Sequence, residues 1–341
     1  MTSASPIISA HTDEKDAVFL GIDVGGTNVK LGLVDNAGQL LAKESMPTPE
    51  LGTPERVFHA ALAFADSKLP QLGCVTTDLA GIGLAVPGVL DTKESVLREV
   101  VNLPGWQGKP LRRILSDTRQ LPSIVVNDAN SAAYAEHSLR SLGNQSLALI
   151  TLGTGIGCGL VIGGTPFSGD HGCAGELGHI AIRFGDDASI CSCGKRGHLE
   201  AYAGVNGVLA QLQALAASNP DADINGLIST DMITPRDIAK RASSGCDLCR
   251  SVIDQTATYI GQAIGQLAQV INPAVVLLGG AMTFGGDQSE IGRAFLEQVR
   301  STVIDTTLIE VGSNLNIEFS SLGNDAGVLG AAMVAQQAVE S

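Results

Sequence analysis

The stretch CSCGKRGHLE, Cys191 to Glu200, sets two thiols, an imidazole, two basic side chains and a carboxylate side by side. Three chemistries use such a set: a nucleic-acid knuckle, a pair of redox thiols, and a metal site. With His179 upstream the spacing is H-x11-C-x-C-x4-H. Two sulfurs and two imidazoles at that spacing can fill the tetrahedral positions that zinc prefers. A closed set of four protein ligands would make such an ion structural and leave no open position for chemistry. The C-x-C spacing is tighter than the C-x-x-C of an ordinary thiol redox pair. Cys246 and Cys249 do have that second spacing, but they stand at the entrance to a long helical pattern with no βαβ redox context.

Other reactive groups lie at the ends of apolar runs. In SIVVNDAN, Asp128 ends a strand-like run, where a carboxylate faces a cleft and can act as a general base. The bland reading of the same residue is the N-cap of a helix beginning near Ala129, and both roles can coexist. Two glycine-rich turns, DVGGTN at Asp23 to Asn28 and LGTGIGCG at Leu152 to Gly159, follow apolar runs, and Gly279-Gly280 follows a third. Such turns bring backbone N–H groups against an anion because glycine has no side chain to block the approach. No G-x-x-x-x-G-K-[ST] occurs, and the two-residue step of Gly153, Gly155, Gly157 and Gly159 does not satisfy G-x-G-x-x-G. Neither a P-loop nor a dinucleotide fingerprint is present.

The elements that must position these groups read as two α/β halves. From Ala17 to Met46 the pattern is strand, glycine turn, strand, strand, and Gly25-Gly26 is read as a hairpin turn that needs positive φ. Thr53-Pro54 is an N-cap followed by proline at the first helical position. LAGIGLAVPG and SIVVN read as buried strands. The theme then repeats as LALITLGTG, a turn and CGLVIGG. Ile253, Ala257, Ile260, Ile264, Leu267 and Ile271 recur at three- and four-residue steps, as a long amphipathic helix requires. AVVLLGG is another strand, and a last helix runs from about Asp325. The expected organisation is a disordered tail over residues 1–16, a small lobe over 17–131 completed by a C-terminal helix at 325–341, and a large lobe over 132–324.

Composition narrows the function classes. At 341 residues the chain exceeds the roughly 300 at which single cores stop growing, so two lobes around a cleft are expected. No apolar run approaches the ~18 residues of a membrane span. Thirty-five acidic against 21 basic residues give a formal charge of -14, which disfavours a nucleic-acid partner. The first sixteen residues lack a basic segment followed by an apolar one, so no secretory signal is read and a cytoplasmic location is expected. Free cysteines in such a compartment suit metal binding or reactive thiols before disulfides.

Taken in order, DVGGTNVKLG, AVPGVLD, NLPGW, VNDAN, the glycines from Gly155 through Gly178 ending in GELGH, and CSCGKRGHLE strongly resemble the ROK family of sugar kinases and sugar-responsive repressors. The resemblance runs from residue 18 to about 337. It implies an α/β actin-like ATPase (ribonuclease H-like) fold, two α/β lobes around a central cleft. It implies that Asp23, Gly25, Gly26, Thr27, Asn28 and Lys30 in one lobe, and Gly153, Thr154 and Gly155 in the other, clasp the ATP phosphates, with Asp23 handling Mg2+ through its waters. Gly279 and Gly280, in LGGAM, then lie near adenosine. Asp128 becomes the base for the 6-hydroxyl of a sugar bound by Gly88, Asn102, Asn127, Glu176, His179 and Glu200. Trp106 is expected to pack under its loop, with stacking on sugar as the alternative.

One position departs from the family pattern: His198 stands where the family has the third cysteine of C-x-C-G-x-x-G-C-x-E. His179, Cys191, Cys193 and His198 are therefore the expected zinc ligands, with His171 and Cys173 as rivals for the fourth place. The resulting expectation is a glucokinase using ATP, Mg2+ and structural Zn2+, a homo-oligomer (dimer or tetramer) with small-molecule partners. The alternatives are kinases of N-acetylmannosamine, N-acetylglucosamine or fructose, and a non-catalytic sugar-responsive regulator. A regulator of this family would carry a helix-turn-helix ahead of the first strand, where only the short polar tail is found, and would be expected to lose the base.

Overall fold

The structure is a computed structural model that describes residues 17–100, 103, 105–219 and 233–340. The expected tail over residues 1–16, and Asn102, lie outside the described residues.

The first half builds a sheet from β1 (Val18–Val24), β2 (Asn28–Asp35), β3 (Leu40–Pro47) and β4 (Leu79–Val86). A small hairpin of β5 (Val89–Asp91) and β6 (Val96–Glu99) follows, and β7 (Ser123–Asn127) completes the sheet in the order β3-β2-β1-β4-β7. The first three strands are antiparallel and β1, β4 and β7 are parallel. The second half repeats this plan with β8 (Leu147–Leu152), β9 (Ile156–Ile162), β10 (Thr165–Pro166), β11 (Val275–Gly279) and β12 (Asn316–Phe319), in the order β10-β9-β8-β11-β12. Central strands such as VFLGIDV and VVLLG are buried almost throughout, which explains why they read as continuous apolar runs and not as alternation.

The helix signals hold where they were strongest. Thr53 caps Pro54–Lys68, its hydroxyl accepting from Arg56 N–H. The helix Asp247–Ile271 buries Ile253, Ala257, Ile260 and Ile264 on one face and ends at Asn272, whose φ of 50° stops it. Cys246 is its N-cap residue and Cys249 is buried in its first turn, with its thiol pushed up to about 12 by that burial and by Cys246. Trp106 is fully buried against Phe58 and donates from Nε1 to Gly52 O, so it packs beneath its loop.

Between the sheets lie two helices, Asp128–Leu139 and Ala326–Glu340, packed on each other. The first contacts β8 and β9, and the second contacts β1, β2, β4 and β7. Contact is backbone to backbone. A Cβ built at Gly330 would fall 1.7 Å from Ser131 O, one at Gly83 1.8 Å from Ala331 O, and one at Gly159 1.9 Å from Ala129 O. Ser131 Oγ–H donates to Gly327 O across the same helix pair. A separate apolar layer, including Phe19, Val34, Leu149, Leu277 and Leu329, fills the space around them. The helix Asp128–Leu139 thus spans residue 131, where the sequence reading divides the lobes, and carries the chain from the first sheet onto the second.

Because nothing soft lies beside Gly330, Gly330→Ala should destabilise the protein by about 3 kcal/mol through overpacking. Urea denaturation followed by circular dichroism measures this. A loss below about 0.5 kcal/mol, as at an ordinary surface position, would contradict the close contact.

Candidate active site and metal-binding loop

Asp128 begins the inter-sheet helix as it leaves β7. The cap of that helix is Asn127 and not Asp128. Asn127 Oδ1 accepts from Ala129 N–H and Asn130 N–H at 3.0 and 3.1 Å, while its Nδ2 donates to Gly88 O at 3.2 Å. Asp128 Oδ1 also accepts from Ala129 N–H, at 2.8 Å. Gly88 must be glycine because its φ is +88° and a Cβ there would meet Glu99 O at 2.2 Å.

A cavity of about 400 Å³ brings together Gly88, Asn127, Asp128, Glu176, His179 and Glu200. These are all the residues expected around a sugar except Asn102. Its wall also includes Asn130, Thr151 and Cys158, which the sequence reading did not single out. Asn130 is buried, accepts from Leu160 N–H and donates to Phe167 O and Ser168 Oγ, tying the loop before Glu176 to the helix that carries Asp128. Cys158 is pushed up to about 12 by burial, reinforced by the Glu176 charge, and is an inert thiol.

Withdrawal from water in this recess raises the Asp128 carboxyl to about 6. The Ala129 N–H opposes the rise, and the negative charges of Asp23 and Glu176 add to it. Asp23, at the end of β1, is also raised by its recessed position, and Lys30 Nζ, 3.3 Å away on β2, pulls the other way. Lys30 also donates to Asn324 O, just ahead of the C-terminal helix.

The first glycine turn closes with Gly25 N–H donating to Asn28 O at 2.9 Å and Thr48 Oγ1–H donating to Gly25 O at 2.7 Å. Gly25 does not take a positive φ, contrary to the expectation for this hairpin. Its constraint is space, since a Cβ would lie 3.1 Å from Asn28 O. Gly26, Thr27 and Asn28 are exposed and line neither this cavity nor the next. In the second turn Gly155 is pressed against Glu200, with a Cβ position 2.6 Å from Oε2. A second cavity of about 770 Å³ is lined by Gly153, Thr154, Arg236, Lys240, Met282 and Phe284, among others. Gly279 and Gly280 do not line it, but Gly280, at φ +91°, turns the chain so that Ala281 and Met282 do. Arg236 and Lys240 come from Pro235–Ser243, a helix missed in the sequence although Thr234 and Asp237 form a capping box.

The donor atoms of His179, Cys191, Cys193 and His198 all lie within 4.8 Å of one another. His179 Nδ1 is 3.7 Å from Cys191 Sγ, and His198 Nδ1 is 3.2 Å from Cys193 Sγ. Ligands around one tetrahedral zinc are separated by about 3.3–3.8 Å, so both pairs lie close to that spacing and drawing the rest of the set in from at most 4.8 Å would complete a single site. The loop is shaped by Cys191 N–H to Lys195 O, Leu199 N–H to Ile180 O, and turns at Gly194 and Gly197 with φ of +82° and +80°. His171 and Cys173 stand outside this cluster, Cys173 being exposed.

Two sheets of one repeated strand order, joined by an inter-sheet helix pair and each carrying a glycine turn, have the two-lobed actin-like ATPase fold. The chain belongs to the ROK family, which it matches over residues 19–338. A glucokinase of Halalkalibacterium halodurans is 31% identical over 94% of this chain and 96% of its own length. A xylose repressor of Caldicellulosiruptor bescii is 30% identical over 92% of this chain and 76% of the repressor. A ROK family glucokinase from Streptomyces griseus, solved in complex with glucose and AMPPNP, superimposes with a TM-score of 0.72 at 28% identity, covering 94% of this chain and 100% of that one. No helix among the described residues is long and apolar enough to cross a membrane.

If the cluster holds zinc, wild-type protein should carry about one ion per chain, and His198→Ala should lose most of it. His198→Cys should keep it, and so should His171→Ala and Cys173→Ala. Metal analysis after gel filtration decides this; retention in His198→Ala with loss in Cys173→Ala or His171→Ala would move the fourth ligand.

Proposed function

We propose that this chain is an ATP-dependent sugar kinase, a glucokinase that transfers the γ-phosphoryl group of ATP to the 6-hydroxyl of glucose. The observation that carries this reading is Asp128, a carboxylate of raised pKa at the head of the inter-sheet helix, in a cavity lined by Asn127, Glu176, His179 and Glu200. A hexose presents a ring of donors and acceptors, and convergent carboxylates, an amide and an imidazole suit it.

Asp128 accepts the hydroxyl proton as the oxygen attacks the γ-phosphorus and the bond from that phosphorus to the β,γ-bridging oxygen breaks, so that ADP leaves. Asn127, already tied to the helix and to Gly88, has its second amide hydrogen for the sugar. Asp23, Gly25, Gly26, Thr27, Asn28 and Lys30 meet the phosphates from the first lobe, and Gly153, Thr154 and Gly155 from the second. The cavity between Thr154, Lys240 and Met282 takes the nucleoside. Mg2+, when bound, neutralises the charge on the phosphates, and Asp23 is the carboxylate placed to hold its waters. His179, Cys191, Cys193 and His198 hold a structural zinc that fixes His179 and Glu200 at the cavity wall. The formal charge of -14 argues against a nucleic-acid partner. Asp128 in the position of the base favours an enzyme over a sugar-responsive regulator.

The test is a panel of hexoses and N-acetylhexosamines with MgATP in a coupled ADP assay, in which glucose should give the highest kcat/KM. Preference for N-acetylmannosamine, N-acetylglucosamine or fructose would overturn the glucose assignment but not the kinase reading. Asp128→Asn keeps the side-chain shape but cannot accept the proton. It should lower kcat by about 10²- to 10⁴-fold while glucose still binds by calorimetry. Wild-type kcat in that variant would remove Asp128 from the role of base.

A further inference from the structure

Ser192, between the two thiols of the metal-binding loop, has a role that the metal does not require. Its hydroxyl donates to Glu200 Oε1 at 2.6 Å, and Ile156 N–H, in the second glycine turn, donates to Glu200 Oε2 at 3.1 Å. The Glu200 carboxylate is thus held by one donor on each oxygen, from two separate parts of the chain. Each oxygen keeps a further lone-pair site for a ligand hydroxyl.

We propose that Ser192 is a positioning residue for sugar binding, acting through Glu200 by this hydroxyl. The proposal rests on the sugar-kinase reading of the cavity. The other group of the loop near Oε1 is Cys191 Sγ, at 3.8 Å. A cysteine that ligates a metal is a thiolate with no proton to donate, and its charge repels a carboxylate. The serine hydroxyl has a single proton, and Oε1 is much nearer to it than Cys191 Sγ, which also stands 3.8 Å away. Without that hydroxyl, Glu200 would keep only the Ile156 anchor and could rotate away from the cavity. The loop itself does not depend on Ser192: Cys191 N–H to Lys195 O and Gly194 N–H to Cys191 O close its turn through the backbone. Affinity for sugar and retention of metal should therefore separate at this residue, which they would not do at Cys191 or Cys193.

The test compares wild type, Ser192→Ala and Ser192→Thr by zinc content, by glucose affinity in calorimetry without nucleotide, and by kcat and KM for glucose and ATP. In Ser192→Ala the glucose Kd and KM should rise about 5- to 20-fold, the loss of a charge-assisted hydrogen bond partly replaced by water. Zinc content, kcat and the KM for ATP should stay within about two-fold, and Ser192→Thr should restore the affinity. Unchanged glucose affinity in Ser192→Ala overturns the proposal. So does loss of zinc in that variant, which would make the role purely structural, and so does a threonine variant that keeps zinc but not affinity. Wild-type protein that binds and phosphorylates no hexose would overturn the kinase reading and this proposal with it.

Discussion

Contact of backbone with backbone through the inter-sheet helix pair sets where Asp128 stands. At Gly330, Gly83 and Gly159 the neighbouring carbonyl occupies the place of a side chain. The helix Asp128–Leu139 is therefore held against both the C-terminal helix and β9 with no adjustable side chain between them. Its N-terminus, and Asp128 with it, is fixed where the two halves meet. A small displacement of this helix would move the proposed base relative to the sugar, and alignment errors of that order are expensive in phosphoryl transfer.

The same close packing explains the chemistry assigned to the site. Recessing Asp128 beside Asp23 and Glu176 keeps water away and gathers like charges, both of which favour the neutral acid against the opposing Ala129 N–H. A carboxyl raised toward neutrality follows from where the helix begins. The loop carrying the Cys/His cluster meets the second glycine turn through Glu200, whose carboxylate touches Ile156 N–H on one side and Ser192 on the other. The groups read as sugar-binding and the groups read as phosphate-binding are therefore coupled through one side chain.

Much of this was legible in the sequence because the chemistry depends on unusual residue types in close succession. The motifs around Asp128, Glu176 and Glu200 bring those carboxylates and His179 to one cavity, and His198 joins the donor cluster with His179, Cys191 and Cys193. The fold was readable where signals were long or doubled: Thr53-Pro54, the Asp247–Ile271 periodicity, and the repeated strand-turn-strand. The hairpin of β5 and β6 and the edge strand β12 were not read, being three or four residues long with little periodicity. The helix Glu290–Thr306 was missed although Phe295, Leu296, Val299 and Val303 have helical spacing after Ser289, so the signal was present. At two positions a neighbour overrides residue type. Gly25, expected with Gly26 to take positive φ, is instead confined by Asn28 O within its own turn, and the N-cap, which the sequence offers at Asp128 as the bland alternative to a base, falls one residue earlier at Asn127.

In the proposed reaction a recessed Asp128 accepts the proton of the sugar hydroxyl as its oxygen attacks the γ-phosphorus. The pH dependence of kcat/KM for glucose at sub-saturating MgATP tests it most directly, because that ratio reports ionisations of the free enzyme. A carboxylate base works only when ionised, so with its pKa raised to about 6 activity should be full above that value and fall as pH drops through it. The expected profile has an acid limb of unit slope centred near pH 6, well above an ordinary carboxylate. A profile that stays flat down to the usual carboxylate range, near pH 4, would contradict it.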